Sequence, residues 1–135
     1  MTGKITVGTI QDTDGNTVAS TYVTNGSAKA WVMYDNFSGN SLARGSLNIS
    51  SVTDDDTGVW TNSFTNNMND IYYCNPGTSD GGGTTQSVVC NAYNYTYGSL
   101  NYRSTSSNRC GIRNINDNSL LDRSFNTIAY LGDLA

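Results

Sequence analysis

Apolar residues alternate with polar ones along almost the whole chain, at a spacing that suits strands far better than helices. At the N-terminus Ile5, Val7 and Ile10 lead into the turn signal Asp14-Gly15-Asn16, and Val18 and Tyr22-Val23 follow before the break Thr24-Asn25-Gly26-Ser27. Residues 1–27 therefore predict an arm containing a small hairpin. Ala28 to Phe37 reads as a strand with Trp31 and Met33 on one face and Val32 and Tyr34 on the other, closed by Ser38-Gly39-Asn40. Apolar groups on both faces predict a strand covered on both sides.

From Leu42 to Val52 one face carries Leu47 and Ile49 and the other Arg44, Ser46, Asn48 and Ser50, the signature of a strand with one dry and one wet side. The run Thr53-Asp54-Asp55-Asp56-Thr57-Gly58 reads as a six-residue loop, and Val59 to Phe64 resumes with Trp60 and Phe64 on one face. The two strands predict a β-hairpin. A loop at Asn66 to Asp70, a strand at Ile71 to Cys74 stopped by Asn75-Pro76-Gly77, and an exposed loop from Thr78 to Gly83 come next. Thr85 to Tyr93, Thr96 to Arg103, Arg109 to Ile115 and Ser124 to Leu131 complete the set of predicted strands. Strands this evenly punctuated predict an all-β fold: an antiparallel β-sandwich or jelly-roll-like domain over residues 28–135, with an extended arm over 1–27.

Composition strengthens this picture and adds a question. Asn, Thr, Ser and Gly make up nearly half of the 135 residues, all 11 acidic residues are Asp, and there are only two lysines. No stretch sums to a good helical propensity. The apolar content of 36% leaves a thin core, so help from oligomerisation is expected, with Trp31, Met33, Trp60 and Phe64 as candidates for burial against symmetry mates.

Charge and chemistry mainly exclude. A net charge of −4 and a pI near 4.3 lack the clustered cations that phosphate contacts require, so no nucleic-acid partner is expected. No apolar run is long enough to insert in a membrane, and the alternating start MTGKITVGTIQDTDG does not read as a secretory leader. With neither His nor Glu, the usual general bases, a Ser triad and a zinc ligand set are all missing, so no enzyme and no cofactor are predicted.

Cys74, Cys90 and Cys110 match no metal knuckle. They read as small buried hydrophobes, with a Cys74–Cys90 or Cys90–Cys110 bridge as the alternative. Asp54, Asp55, Asp56, Asp70 and Asp80 read as turn residues, as does the faintly calcium-loop-like Asp12-x-Asp14-Gly15-Asn16; a weak Ca²⁺ site at Asp54–Asp56 stays open. Tyr93, Tyr95, Tyr97, Tyr102 and Arg103 form the most suggestive cluster, an aromatic face with hydrogen-bonding neighbours suited to a receptor or subunit interface. With Trp60 the first three would also make a platform for sugar rings, the basis of an alternative reading as a small carbohydrate-binding module.

Three blocks occur in a distinctive order: Thr24-Asn25-Gly26-Ser27-Ala28-Lys29-Ala30-Trp31-Val32, then Ala43-Arg44-Gly45-Ser46-Leu47-Asn48-Ile49-Ser50-Ser51-Val52-Thr53-Asp54, then Thr57 to Met68. Over roughly residues 5–74 the chain resembles tail-fibre-like virion structural proteins of marine tailed bacteriophages of the cyanophage type. The resemblance implies a homotrimeric tail fibre or fibre-like appendage that attaches to the host cell surface. It also implies contacts with other tail or capsid proteins and with a surface glycan or protein, and assembly into the virion in the bacterial cytoplasm. A capsid decoration or head-fibre protein is the alternative within that class. Residues 1–27 would then be the attachment element, pairing with a neighbour's sheet edge.

Overall fold

A computed structural model describes residues 7–35, 37, 42–79, 88–92, 103–114 and 119–135. The arm pairs as its turn signal predicts. Strand β1 (Thr9–Gln11) runs antiparallel to β2 (Thr17–Ala19), with Ile10 opposite Val18. Asp12 makes the turn: its carboxylate accepts the N–H groups of Asp14 and Asn16, each at 2.9 Å, and the Asn16 side-chain amide, while Gly15 takes the left-handed φ of 86°.

The expected extended run at Tyr22-Val23 is instead a short helix, α1 (Ser20–Gly26), with no side-chain cap at its start. Its sequence has little helical propensity, and the helix is held from outside. Ser20 donates its N–H and its hydroxyl to the Gly8 carbonyl, and the Lys29 ammonium bonds the Thr24 carbonyl and the Ser27 hydroxyl at the other end. A cation there satisfies a carbonyl that the helix leaves open.

The remaining strands are β3 (Ala28–Asp35), β4 (Leu42–Leu47), β5 (Ile49–Asp56), β6 (Val59–Phe64), β7 (Gly77–Ser79), β8 (Val88–Ala92), β9 (Ser107–Asn114) and β10 (Asn126–Leu131). They form two four-stranded sheets, β4-β3-β10-β7 and β5-β6-β9-β8, in which every neighbouring pair is antiparallel. The fold is all-β, as the alternation predicts.

The single strand expected over 42–52 is two strands in different sheets. Asn48 breaks it with a φ of 56°, a left-handed conformation that Asn tolerates, and its side chain exchanges hydrogen bonds with Asn66 at 2.7 to 3.1 Å. The break reverses what the alternation implies: Leu47 stays exposed on the first sheet, whereas Ile49 packs against the core from the second. The β5–β6 hairpin is present, but Asp54–Asp56 belong to a bulged strand, and the turn is Thr57-Gly58 alone. Gly58 at φ 64° lies so close to Leu121 that a Cβ would fall 2.5 Å from its backbone nitrogen.

Ile71 to Cys74 is not a regular strand. The segment is tied to β10 by the reciprocal Cys74–Leu131 backbone bonds, both 2.8 Å, and continues through Pro76 into β7, so Thr78 and Ser79 lie in an edge strand. The rest of the expected loop, to Gly83, lies outside the described residues.

The core draws side chains from both sheets. β3 contributes Ala30, Val32 and Tyr34, β10 Ile128 and Tyr130, β6 Trp60 and Phe64, and β9 Cys110 and Ile112; Met68 and Tyr73 come from the connecting segment. Aromatic rings supply much of its bulk. Tyr34 meets Trp60 at 4.4 Å between centroids, and Phe64 meets Tyr130 edge-on at 4.9 Å. Such pairs add about 0.5–1.5 kcal/mol beyond their burial.

Candidate interface groove

Because β3 alternates strictly, burying Ala30, Val32 and Tyr34 turns Trp31 and Met33 to the opposite side of the sheet. Among the described residues nothing covers this second face, so the expected cover on both sides is not seen there: Trp31 is 40% exposed. Register places Ala129 beside Trp31 and Thr127 beside Met33 on β10, and Thr78 of β7 beside Thr127. On the other flank Gly45 of β4 pairs with Met33, and a Cβ there would sit only 3.4 Å from the indole ring of Trp31. The glycine lets the indole lie close over the β4 backbone.

Pro76 and Gly77 complete one wall, and the result is an open groove of about 460 Å³. Its size falls in the range of ordinary binding clefts, about 300–1,000 Å³. Among the described residues no titratable side chain lines it. Its two hydroxyls, Thr78 and Thr127, lie 2.8 Å apart and bond each other. Such a surface suits apolar side chains and offers little to a sugar or to an ion.

Trp60 and Phe64 are not available to a subunit interface. Trp60 is fully buried and Phe64 nearly so, both within the chain's own core. Tyr34 packs on Trp60 and Tyr130 on Phe64; of the four expected trimer-core residues, Trp31 and Met33 alone line the groove. The same burial removes Trp60 from a glycan platform.

Arg103 is likewise engaged internally. Its guanidinium donates to the Tyr73 carbonyl at 3.0 Å and to Asn75 Oδ1 at 2.5 Å, and lies 5.4 Å from the centre of the Tyr73 ring. It acts as a strut for the segment leading to Pro76. Tyr93, Tyr95, Tyr97 and Tyr102 lie outside the described residues.

Beneath β10 sits a buried polar cluster that the alternation did not foretell. Asn62 donates its amide to the Tyr130 hydroxyl at 2.7 Å, and the Cys110 thiol donates to Asn108 Oδ1 at 2.9 Å. Burial pushes the Cys110 thiol up to about 12, which suppresses its thiolate and its reactivity. Cys110 and the exposed Cys74 are both free, so neither bridge considered for Cys90 forms.

The acidic candidates serve local structure. The hydrogen bonds from Asn16 hold the Asp12 carboxyl below its ordinary range. Asp55 accepts the Thr61 hydroxyl at 2.6 Å and pairs with Arg109 at 3.1 Å; Asp56 accepts the Thr57 N–H. Among the described residues no three acidic, Cys or His side chains gather as a metal site, and no helix is long and apolar enough to cross a membrane.

Compared with known proteins, the chain matches no family model, and neither a curated protein nor a solved structure shows similarity to it. The likeness to tail-fibre-like proteins thus rests on the sequence blocks alone.

Proposed function

We propose that the protein is a virion structural module, a two-layer β-sandwich that assembles as a homotrimer into a tail fibre or fibre-like appendage and attaches the particle to its host. The groove around Trp31 carries this reading. An open apolar cleft with no titratable group among its described lining residues suits protein association, and it lies on the strand that holds the block Ala28-Lys29-Ala30-Trp31-Val32. A capsid decoration protein would use the same groove against the shell; copy number per particle separates the two roles.

The groove chemistry disfavours a carbohydrate-binding module. Sugar recognition needs several hydrogen-bonding groups around an aromatic plane, whereas the described lining of this groove offers two hydroxyls, Thr78 and Thr127, that already share a hydrogen bond. Light scattering of the purified chain tests the proposal: the expected mass is three times 14.5 kDa, falling in Trp31→Glu. A wild-type monomer across the micromolar range would overturn it.

A further inference from the structure

The two walls of the groove differ in how firmly the backbone holds them. Trp31 and Met33 belong to β3, an inner strand of its sheet. Pro76 and Gly77 belong to an edge segment whose strand, β7, is three residues long and paired on one side only. Ahead of β7 that segment is joined to β10 by the reciprocal Cys74–Leu131 bonds and by the Ala129 N–H, which donates to the Pro76 carbonyl at 2.9 Å. Pro76 has no N–H to give in return. So short an edge belongs to the low-stability end of a fold.

It is nevertheless held from behind. Burial alternates along the segment: Tyr73 and Asn75 turn inward, Cys74 and Pro76 outward. Both inward side chains meet one stretch leading into β9 of the second sheet. The Arg103 guanidinium donates to the Tyr73 carbonyl and to Asn75 Oδ1 while lying over the Tyr73 ring. The Tyr73 hydroxyl is shared between the Ser104 and Ser107 carbonyls, each at 3.2 Å, and the Asn75 amide reaches Asn108 Oδ1 at 3.4 Å. The stretch is itself braced, because Ser104 donates its N–H to the Ser107 carbonyl and accepts the Ser107 N–H on its hydroxyl, both at 2.8 Å. A guanidinium suits the place: its planar fork serves two acceptors while its face lies on a ring, and an ammonium on a flexible stem does neither as well.

We propose that Arg103 is the positioning residue of the groove: it pins the Pro76–Gly77 wall to the second sheet and so sets how tightly the groove associates. Arg103 does not itself line the groove, so it acts through Tyr73 and Asn75. The role rests on the associating groove proposed above and adds the residue that controls it. A wall already in place need not be ordered at the moment of binding, and association is the stronger for it.

Native-state hydrogen exchange and light scattering of the full-length Arg103→Met chain test this. The amides of Cys74, Ala129 and Leu131 donate across the seam between the wall and β10, whereas that of Ile112 in β9 donates to Gly58. Loss of the clamp should speed exchange at the three seam amides by about tenfold or more, the scale of one hydrogen bond to a charged group, and leave Ile112 unchanged. The concentration at which the chain associates should rise about threefold or more, as the share of chains with the wall in place falls. Arg103→Lys keeps the charge without the fork and should behave as Arg103→Met does. Near-UV circular dichroism, which reports the packed Trp60 and Tyr34, checks the fold, and Asn75→Ala, which removes one acceptor, replaces a variant that does not fold. Equal acceleration at all these amides would make Arg103 a general stabiliser and overturn the proposal. So would an unchanged seam, a lysine variant indistinguishable from wild type, or wild-type association in a chain whose seam has opened. A monomeric wild type would overturn the associating groove and, with it, control of association; the exchange contrast would then decide by itself whether Arg103 holds the wall.

Discussion

The two tryptophans of this chain sit in strands of similar apolar content and end in opposite environments. Trp60 is fully buried, with the Tyr34 ring tilted against it at 4.4 Å. Trp31 lies on the outer side of the first sheet, close over Gly45, and keeps 40% of its surface. What separates them is that core residues such as Tyr34 and Trp60 pack together on one side of β3, while among the described residues the other side stays open. Apolar character along a strand says that a face can be buried; only topology says by what. The face covered within the chain contributes to folding, and the face left uncovered is free to contribute to association.

The sharpest way to break this contrast is to truncate each indole. Trp60→Ala should cost about 3–5 kcal/mol in chemical denaturation of the full chain, through lost contacts and the cavity left behind. Trp31→Ala should cost the monomer less than about 1 kcal/mol, the scale of a surface change, and show its main effect as a lower native mass. Equal losses of stability would mean that the outer face contributes to folding as much as the inner one does.

The glycines give a second, smaller contrast. Gly58 takes a left-handed φ of 64°, and a Cβ would lie 2.5 Å from the Leu121 nitrogen and 2.8 Å from its oxygen. Backbone cannot retreat as a flexible side chain can, so Gly58→Ala should lose roughly 1–3 kcal/mol. At Gly45 the neighbour is the rim of the Trp31 indole at 3.4 Å, on an open face. Gly45→Ala should lose less than about 1 kcal/mol, as surface changes do, and shift Trp31 fluorescence as the ring lifts. A larger loss at Gly45 than at Gly58 would reverse the assignment of inner and outer faces.

Much of this contrast was legible in the alternation. The two faces of β3, the hairpin of the arm and the β5–β6 hairpin closed by Gly58 all follow from parity and turn residues. The inward choice at Trp60 does not, because no strand states which sheet will face it. The crossing at Asn48 was hidden for a related reason: Leu47 and Ile49 keep the same parity, and one left-handed residue sends them to different sheets. Strand β7 is three residues long and has no period to detect, so Pro76-Gly77 read as a stop when it is a groove wall. The helix α1 depends on Lys29 and Gly8, neither of which its own residues announce. Asn62, Asn108 and Asn126 are polar and nevertheless fully buried. Alternation does not reveal their partners: Tyr130 for Asn62, Cys110 and Tyr130 for Asn108, and Ser79 for Asn126, whose own amide reaches the Arg123 carbonyl.

The smallest expected effects separate the two sheets by their carboxylates. Asp35, at the end of β3, accepts a charged hydrogen bond from Arg44 at 2.6 Å, and that bond with the Phe37 N–H holds its carboxyl below the ordinary 3.8. A lowered native pKa contributes stability that is full above 3.8 and is lost as pH falls through the lower native value. Asp54, on β5 in the other sheet, is shifted up, first by partial burial and then by the nearby Asp122, Asp55 and Asp56. Its ionisation therefore opposes folding once pH rises above 3.8, and protonation at lower pH relieves that cost. Asp54→Asn should stabilise the chain at neutral pH by no more than about 0.5 kcal/mol, since solvent screens the repulsion. Asp35→Asn should destabilise it at neutral pH and make the loss of stability in acid shallower. Denaturation curves at neutral pH and below the carboxylate range read both signs; a stabilising Asp35→Asn or a destabilising Asp54→Asn would show that the local charges, and not the sheet each residue occupies, had been misread.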